Sequence, residues 1–389
     1  MPLSAYVNGE RQIASLLDPP QWENLRGKKP AIELGCCKSR GFMRVSKLGT
    51  QHFVHARRPE SCTSAPESAE HLLLKSIILR AVREAGWSGD VEVCGPNGAW
   101  RADVMGTKSN LQVAFEVQLS TIRFAELAAR QQAYADDQVR GCWFYGYGAL
   151  NPPPPPKTDI PAFPLSFSSE NPFAALKRGI PPDQVRIGSR QMSLPAAVSA
   201  LLNRHFRRCA KQRVVTAEGI TIFQFHECWA CHRDFHVFCP TERSATCDDL
   251  LPANGSENWV ASPLKEAGAP WIIRKVQQFV AAHPNMNLTV SYPGWHWAQS
   301  SRRKHFTFCC VHCGALIASE IFEQLLEDNE CMQSPEYFLG PITTIPVRTK
   351  QEFIDAPHWC YSKAHRFCSE LLPAEDAESS IHLDQRARF

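Results

Sequence analysis

The clearest periodic stretch of the chain lies in its first third. Leu74, Ile77, Ile78, Ala81 and Ala85 recur at helical spacing and stop at Gly86, which predicts a helix with one apolar face. Ser64 with Glu67 three residues later has the form of a capping box, and Pro66 falls in the tolerated first turn. Glu70 and His71 ride near the start of this helix, with Lys75 one turn beyond His71. The pattern then shifts to period two. Between Leu111 and Leu119, Val113, Phe115, Val117 and Leu119 fall on one face of a strand, and Ala114, Glu116 and Gln118 on the other. Two shorter strands are predicted before it, Val91–Cys94 and Trp100–Met105. A helix from about Ile122 to Asp137 and an apolar strand, Gly141–Tyr145, follow it.

The flanks read differently. Residues 1–62 carry short strands at Ala31–Leu34, Phe42–Val45 and Gln51–His55, punctuated by Gly35, Gly41 and Gly49. Pro152 to Pro156 can be neither helix nor central strand, so it is a stiff spacer or an exposed loop. Val185–Ile187 suits one more strand, and Leu194 to Arg208 has helical spacing. From about Val214 the chain changes character, with most of its tryptophans and two Cys-x-x-Cys pairs around a helix at Trp271–Ala282. The expected division is a small β unit at 1–63, a mixed helix-and-strand domain at 64–212, a cysteine-rich domain with a helical insertion at 213–372, and a mobile tail at 373–389.

Composition narrows the class. A chain of 389 residues, 44% apolar and 21% charged, is long enough for two or three ordinary globular domains. No apolar run approaches the length that spans a bilayer, so no membrane is expected. The first residues lack the basic and apolar regions of an export signal, and the expected location is the cytoplasm. In that compartment sixteen cysteines point to metal ligands or buried thiols rather than a disulfide framework. A net charge of +3 neither requires nor excludes nucleic acid; the clusters Arg57-Arg58, Arg204 to Arg213 and Arg302-Arg303-Lys304 suit phosphate contact or a solvated surface.

The candidate chemistry lies on the predicted strands. Asp103 shares a face with Arg101 and Met105; if that face lies beside Glu116 and Gln118, two carboxylates converge with an amide. Mg²⁺ or Mn²⁺ takes oxygen ligands from such a pair, and the ion activates water against a phosphodiester. Glu70 would complete the site as a further ligand through water or as a base. An acid on a first helix, then Asp, then Glu-x-Gln resembles the PD-(D/E)xK nuclease core, and more narrowly the competence protein CoiA-like nuclease family. The resemblance rests on His52-Phe-Val-His55, Glu67-Ser-Ala-Glu-His71 with Lys75, Arg101-Ala-Asp103-Val, Phe115-Glu116-Val-Gln118-Leu-Ser120, Arg130 with Tyr134, and Trp143-Phe-Tyr145. It covers roughly residues 31–145, and more weakly the helix at 194–208.

The resemblance implies an α/β fold: a central sheet flanked by helices, with the small N-terminal β unit and the zinc-ribbon-like domain added. It also implies a catalytic set of Glu70, His71, Lys75, Asp103, Glu116 and Gln118, with Asp103 and Glu116 holding the metal. Gln118 stands where most of the wider superfamily carries a lysine, and Lys75 is a candidate for supplying that charge. Arg130 and Tyr134, one helical turn apart, either contact phosphate or brace the site. Arg302, Arg303 and Lys304 are expected to contact phosphate, while the tryptophans of this region either stack on unpaired bases or, as such residues more often do, lie in a core.

Cys228-Trp-Ala-Cys231 and Cys310-Val-His-Cys313 have the spacing of two zinc knuckles, and Gly314 suits the tight turn. Cys309, His232 and His312 leave the choice of ligands open. Cys36 or Cys37, with His55 and Cys62, makes a weaker second set in which four donors are hard to count; Cys360, His365 and Cys368 are weaker still. Cys94, Cys142 and Cys209 read as core. The expected function is metal-dependent hydrolysis of DNA in competence, recombination, repair or defence, with the C-terminal region engaging the nucleic acid or a protein partner. The alternative is a nuclease fold that binds DNA without cutting it.

Overall fold

The computed structural model describes residues 2–62, 64, 66–155, 158–166, 182–188, 190–247, 259–261, 264–318, 338–363 and 367–371. The tail expected at 373–389, Pro156 of the proline run and His365 lie outside the described residues. Two compact units form: residues 1–211 with 356–389, and residues 212–355.

In the first unit, β1 (Ser4–Val7) pairs with β2 (Glu10–Ile13) and β3 (Ile32–Glu33), and β4 (Gly41–Val45) forms a hairpin with β5 (Gln51–His55). Between them lies α1 (Pro19–Gly27), which the hydrophobic pattern did not reveal. Its start is nonetheless written in the chain, because Asp18 and Gln21 cap each other reciprocally and Pro19 occupies N1. Trp22 from this helix packs on Phe53 in a small core with Ala5, Val7 and Leu34.

The central sheet has seven strands, ordered β12-β11-β10-β9-β8-β7-β6. They are β6 (Ser88–Cys94), β7 (Arg101–Lys108), β8 (Leu111–Gln118), β9 (Arg140–Tyr145), β10 (Ala162–Ser166), β11 (Gln184–Ile187) and β12 (Arg190–Ser193). The first three form an antiparallel meander, and α3 (Phe124–Asp136) carries the chain over to β9, which runs parallel to β8. Parallel strands require such a crossover. Pro152–Pro155 connect β9 to β10, adjacent strands of this sheet, so the run is a loop inside the unit.

Helix α2 (Ala69–Glu84) begins at Ser68, whose hydroxyl accepts the His71 N–H; the cap is therefore not Ser64. Its apolar side, with Leu72, Leu74, Ile78 and Val82, packs on Val104, Val113, Phe115 and Val117. The other face of the sheet packs Ala114, Met105 and Trp143 against Leu127 and Tyr134 of α3. Helix α4 (Leu194–Leu202) is shorter than its spacing suggested. Arg204 turns into the left-handed region at φ 59°, and Phe206–Cys209 leave as β13, paired with β20 (His358–Tyr361). That pairing returns residues after 355 to the first unit, whereas the sequence division carried the second to 372.

The second unit is built on β14 (Gln212–Phe225), flanked by β15 (Phe235–Thr246) and β19 (Phe338–Ile354), with β16 (Trp259–Ala261) beside β15. After the short helix α5 (Leu264–Ala267), α6 (Pro270–Ala282) lays Ile272 and Val276 into a core with Ile220, Phe235, Phe238 and Phe308. A hairpin of β17 (Gly294–Ala298) and β18 (Arg303–Thr307) precedes the second Cys-x-x-Cys pair.

Candidate active site and metal centres

Helix α2 delivers two groups from one face. His71 and Lys75 are four residues apart, so they stack along the side that meets β7. His71 Nε2 lies 3.0 Å from Asp103 Oδ2, and Lys75 Nζ lies 3.6 Å from Asp103 Oδ1. Glu70 is a neighbour of His71 in sequence and is turned by about 100° around the helix. Its carboxylate pairs with Lys47 at 2.8 Å, away from the Asp103 cluster. Glu67, just before the cap, instead folds back onto Lys75 at 3.1 and 3.2 Å.

The strands supply the rest. The β7–β8 register pairs Val104 with Phe115, so Asp103 and Glu116 face each other one step further on. The sheet opens there: the Asp103 N–H donates to Glu116 Oε1 at 3.3 Å, and the Val117 N–H donates to Asp103 Oδ2 at 3.0 Å. On the other side the β6–β7 register passes from Val91–Val104 to Val93–Ala102 and skips Glu92, which sits at φ 57°. Glu92 is buried and accepts the Leu3 N–H and the Ser4 hydroxyl, both at 2.8 Å, as well as Lys75 Nζ at 3.3 Å. The sequence reading missed Glu92, because a polar residue between two valines looks like the solvent side of a strand.

Lys75 is therefore a fully buried ammonium, 0% exposed, among three carboxylates. Burial alone would lower its pKa, but Glu92, Asp103 and Glu67 hold it above the ordinary lysine value. Against its own desolvation, Asp103 is held well below the usual carboxylate range by Lys75 and His71, and Asp103 in turn raises His71.

Glu116 is only 3% exposed. Arg130 Nη2 donates to its Oε2 at 2.7 Å, and the Tyr134 hydroxyl donates to Oε1. Arg130 also lies over the Trp143 ring, and Tyr134 packs against Trp100 and Trp143, so α3 braces this carboxylate. Burial and the nearby Asp103 charge nevertheless push Glu116 up to about 7, outweighing Arg130 and Tyr134. Two neighbouring carboxylates, one depressed and one raised, repel each other, and a divalent cation relieves such a pair. Asp103 and Glu116 thus fit a hard metal ion in donor chemistry. Gln118 shares the Glu116 face, but its amide donates to the Ser120 carbonyl at 2.6 Å and the Ser120 hydroxyl at 3.0 Å.

Residues 67–177 match the family model of the competence protein CoiA, nuclease-like domain. No curated protein and no solved structure matches the chain. The CoiA nuclease-like match opens at Glu67, the carboxylate that folds back onto Lys75, and spans α2 to β10 with the whole Asp103–Glu116 cluster.

The cysteines form compact donor sets. In the second unit Cys228, Cys231, Cys310 and Cys313 bring their sulfurs within 4.8 Å of one another. The pairs Cys228–Cys313 and Cys231–Cys310 are each 3.7 Å apart. Thiolates about 2.3 Å from a tetrahedral zinc have S–S edges of about 3.8 Å, so the set fits. The two knuckles share a backbone form: His232 N–H donates to Cys228 O at 2.8 Å, and Gly314 N–H donates to Cys310 O at 2.9 Å. His232 and Gly314 both take left-handed φ values, 54° and 74°. His232 pairs with Glu227, His312 Nε2 lies against the Asp234 carbonyl, and Cys309 bridges Leu316, so none of the three joins the set.

The N-terminal set gains a donor over the sequence count. Adjacent Cys36 and Cys37 both reach inward, and His55 Nε2 lies 3.6, 3.2 and 3.4 Å from the sulfurs of Cys36, Cys37 and Cys62. Desolvation and the neighbouring thiols Cys37 and Cys62 push Cys36 up to about 12. Cys37 falls to about 6 despite some desolvation, because Ser39, His55 and Cys36 hydrogen-bond to it. These Cys/His groups are able to hold zinc. In the same unit Cys360 and Cys368 lie 3.7 Å apart, with His358 as a nearby imidazole. Cys209, read as core, is buried, and a hydrogen bond from Cys360 draws it down to about 7.

Proposed function

We propose that the protein is a metal-dependent endonuclease hydrolysing phosphodiester bonds in DNA, acting in the cytoplasm in competence, recombination, repair or defence. One observation carries this reading: Asp103 and Glu116 oppose each other on adjacent strands, Glu116 buried and Asp103 part-buried, with a compensating cation beside each. Asp103 and Glu116 would hold Mg²⁺ or Mn²⁺, which polarises a phosphate oxygen and lowers the pKa of a water. Lys75 and His71 keep Asp103 ionised at neutral pH, and His71 is placed to hold a proton at Nε2. Arg130 and Tyr134 fix the direction of the Glu116 carboxylate. Gln118, on the same face, orients a water or a phosphate oxygen once its amide leaves Ser120.

Lys75 does not act as the missing superfamily lysine in this reading, because its ammonium is enclosed by Glu67, Glu92 and Asp103. Glu70 has no catalytic role in it. The knuckle cysteines form a zinc ribbon, the N-terminal Cys36, Cys37, His55 and Cys62 hold a second zinc, and the second unit engages DNA or a protein partner. Among the described residues no helix is long and apolar enough to cross a membrane.

The test is cleavage of single-stranded, duplex and branched DNA with Mg²⁺ or Mn²⁺, comparing wild type with Glu116→Ala. Metal-dependent cutting that disappears in the variant supports the enzyme. A second reading, a nuclease fold that only binds DNA, draws on the protein donors already engaging Asp103 and Glu116 and on the turned Gln118 amide. Binding without cutting on every substrate would favour it.

A further inference from the structure

Among the described residues the second unit exposes two tryptophans on one hairpin. Trp295 and Trp297 on β17 are 65% and 59% exposed. They lie two residues apart on a strand and therefore share a face. The β17–β18 register sets Trp295 opposite Phe306 and Trp297 opposite Lys304, which brings those partners to the same face. Trp295 packs edge-on against Phe306 with centroids 5.6 Å apart, so it is held upright rather than splayed. Arg302 in the turn adjoins this face, Arg303 lies opposite Ala298 on the other face, and all three cations are exposed. From Gly294 to Thr307 the chain contains no Asp or Glu, and among the described residues none of the three cations forms an ion pair.

We infer that this hairpin is a binding site for single-stranded nucleic acid, with Trp295 and Trp297 as the stacking platform and Lys304 and Arg302 as phosphate contacts. The spacing supports it. Side chains at i and i+2 on a strand are about 6.8 Å apart, roughly twice the 3.4 Å thickness of a stacked base. One base enters between two such rings, or successive bases lie on each. Exposed aromatics beside uncompensated positive charge suit a polyanion whose bases are free. A duplex keeps its bases stacked inside and offers only phosphate. This site stands apart from hydrolysis: it lies in the second unit and uses none of the residues around Asp103.

The experiment is fluorescence anisotropy of a labelled 20-mer oligodeoxythymidine with the full-length protein, without added Mg²⁺ or Mn²⁺ and without chelator. Truncating a stacked aromatic weakens binding about 5-fold or more. Trp295→Ala and Trp297→Ala should each do so, and Trp295→Phe should retain most of the affinity. Lys304→Ala should reduce the salt dependence, and a duplex of equal length should bind more weakly. The cleavage assay with Glu116→Ala is scored separately, which distinguishes failure of this site from failure of the nuclease reading. Zinc content and near-ultraviolet circular dichroism show whether each variant is folded. Folded alanine variants with wild-type affinity would overturn the inference. So would equal losses in the phenylalanine variant, duplex binding as tight as the single strand, or no binding of the oligonucleotide by wild type.

Discussion

Replacing Lys75 by methionine keeps the volume and the apolar stem but removes the charge at the centre of the α2 cluster. The ammonium lies 3.1 Å from Glu67, 3.3 Å from Glu92 and 3.6 Å from Asp103, with no exposed surface. Without it, Glu92 and Asp103 remain largely desolvated and mutually repelling, with Arg101 and His71 left beside them. Breaking a buried pair by removing one partner costs about 3–5 kcal/mol, because the other charge stays desolvated. For a unit of this size that lowers Tm by roughly 6–20 °C. The pH dependence has a definite sign. Asp103 and Glu92 have folded pKa values below their unfolded ones, so their stabilisation is present above about pH 4.5 and lost as pH falls. Lys75 is raised, so its contribution is complete below its ordinary value of 10.5 and lost only at higher pH. The penalty in Lys75→Met should therefore be level between roughly pH 6 and 9, and shrink on acidification. Urea unfolding followed by near-ultraviolet circular dichroism measures it, and adding Glu92→Gln should recover part of the loss. A Lys75→Met protein as stable as wild type at pH 7 would refute the argument.

Three further outcomes are expected. Glu116 titrates near 7, so protons compete with metal: Mn²⁺ affinity should fall by up to about tenfold per unit as pH drops below 7. Isothermal titration that finds a flat affinity from pH 5.5 to 8 would contradict this. Cys62→Ser should remove one zinc per chain by elemental analysis and leave the Cys228 set loaded, whereas Cys228→Ser should do the reverse. Ser68→Ala should destabilise the first unit by about 1 kcal/mol, seen as a lower urea midpoint, because the His71 N–H loses its cap.

Local signals carried much of the reading. The helical spacing of Leu74 to Ala85 and the alternation of Val113 to Leu119 are short-range patterns, and both elements stand where the spacing predicts them. The convergence of Asp103 with Glu116 was legible because opposite residues on paired strands must share a face. The knuckle spacing likewise confines each cysteine pair within a few residues.

What the sequence could not resolve was phase and long-range compensation. Glu67 and Glu70 are equally acidic in the chain, but the cap at Ser68 sends one to Lys75 and the other to Lys47. Glu92 and Lys75 find each other only because β6 and α2 pack together, and a charge is tolerated in a core only when its counter-charge arrives from elsewhere. Trp295 and Trp297 looked like core by residue type, and only the register and exposure of their hairpin set them on a surface. The sequence by itself determined the order of elements and the identity of the donor groups, because these depend on neighbours a few residues apart. The tertiary structure decided which carboxylate meets which cation and which aromatics stay in water, because burial is a property of the packed chain.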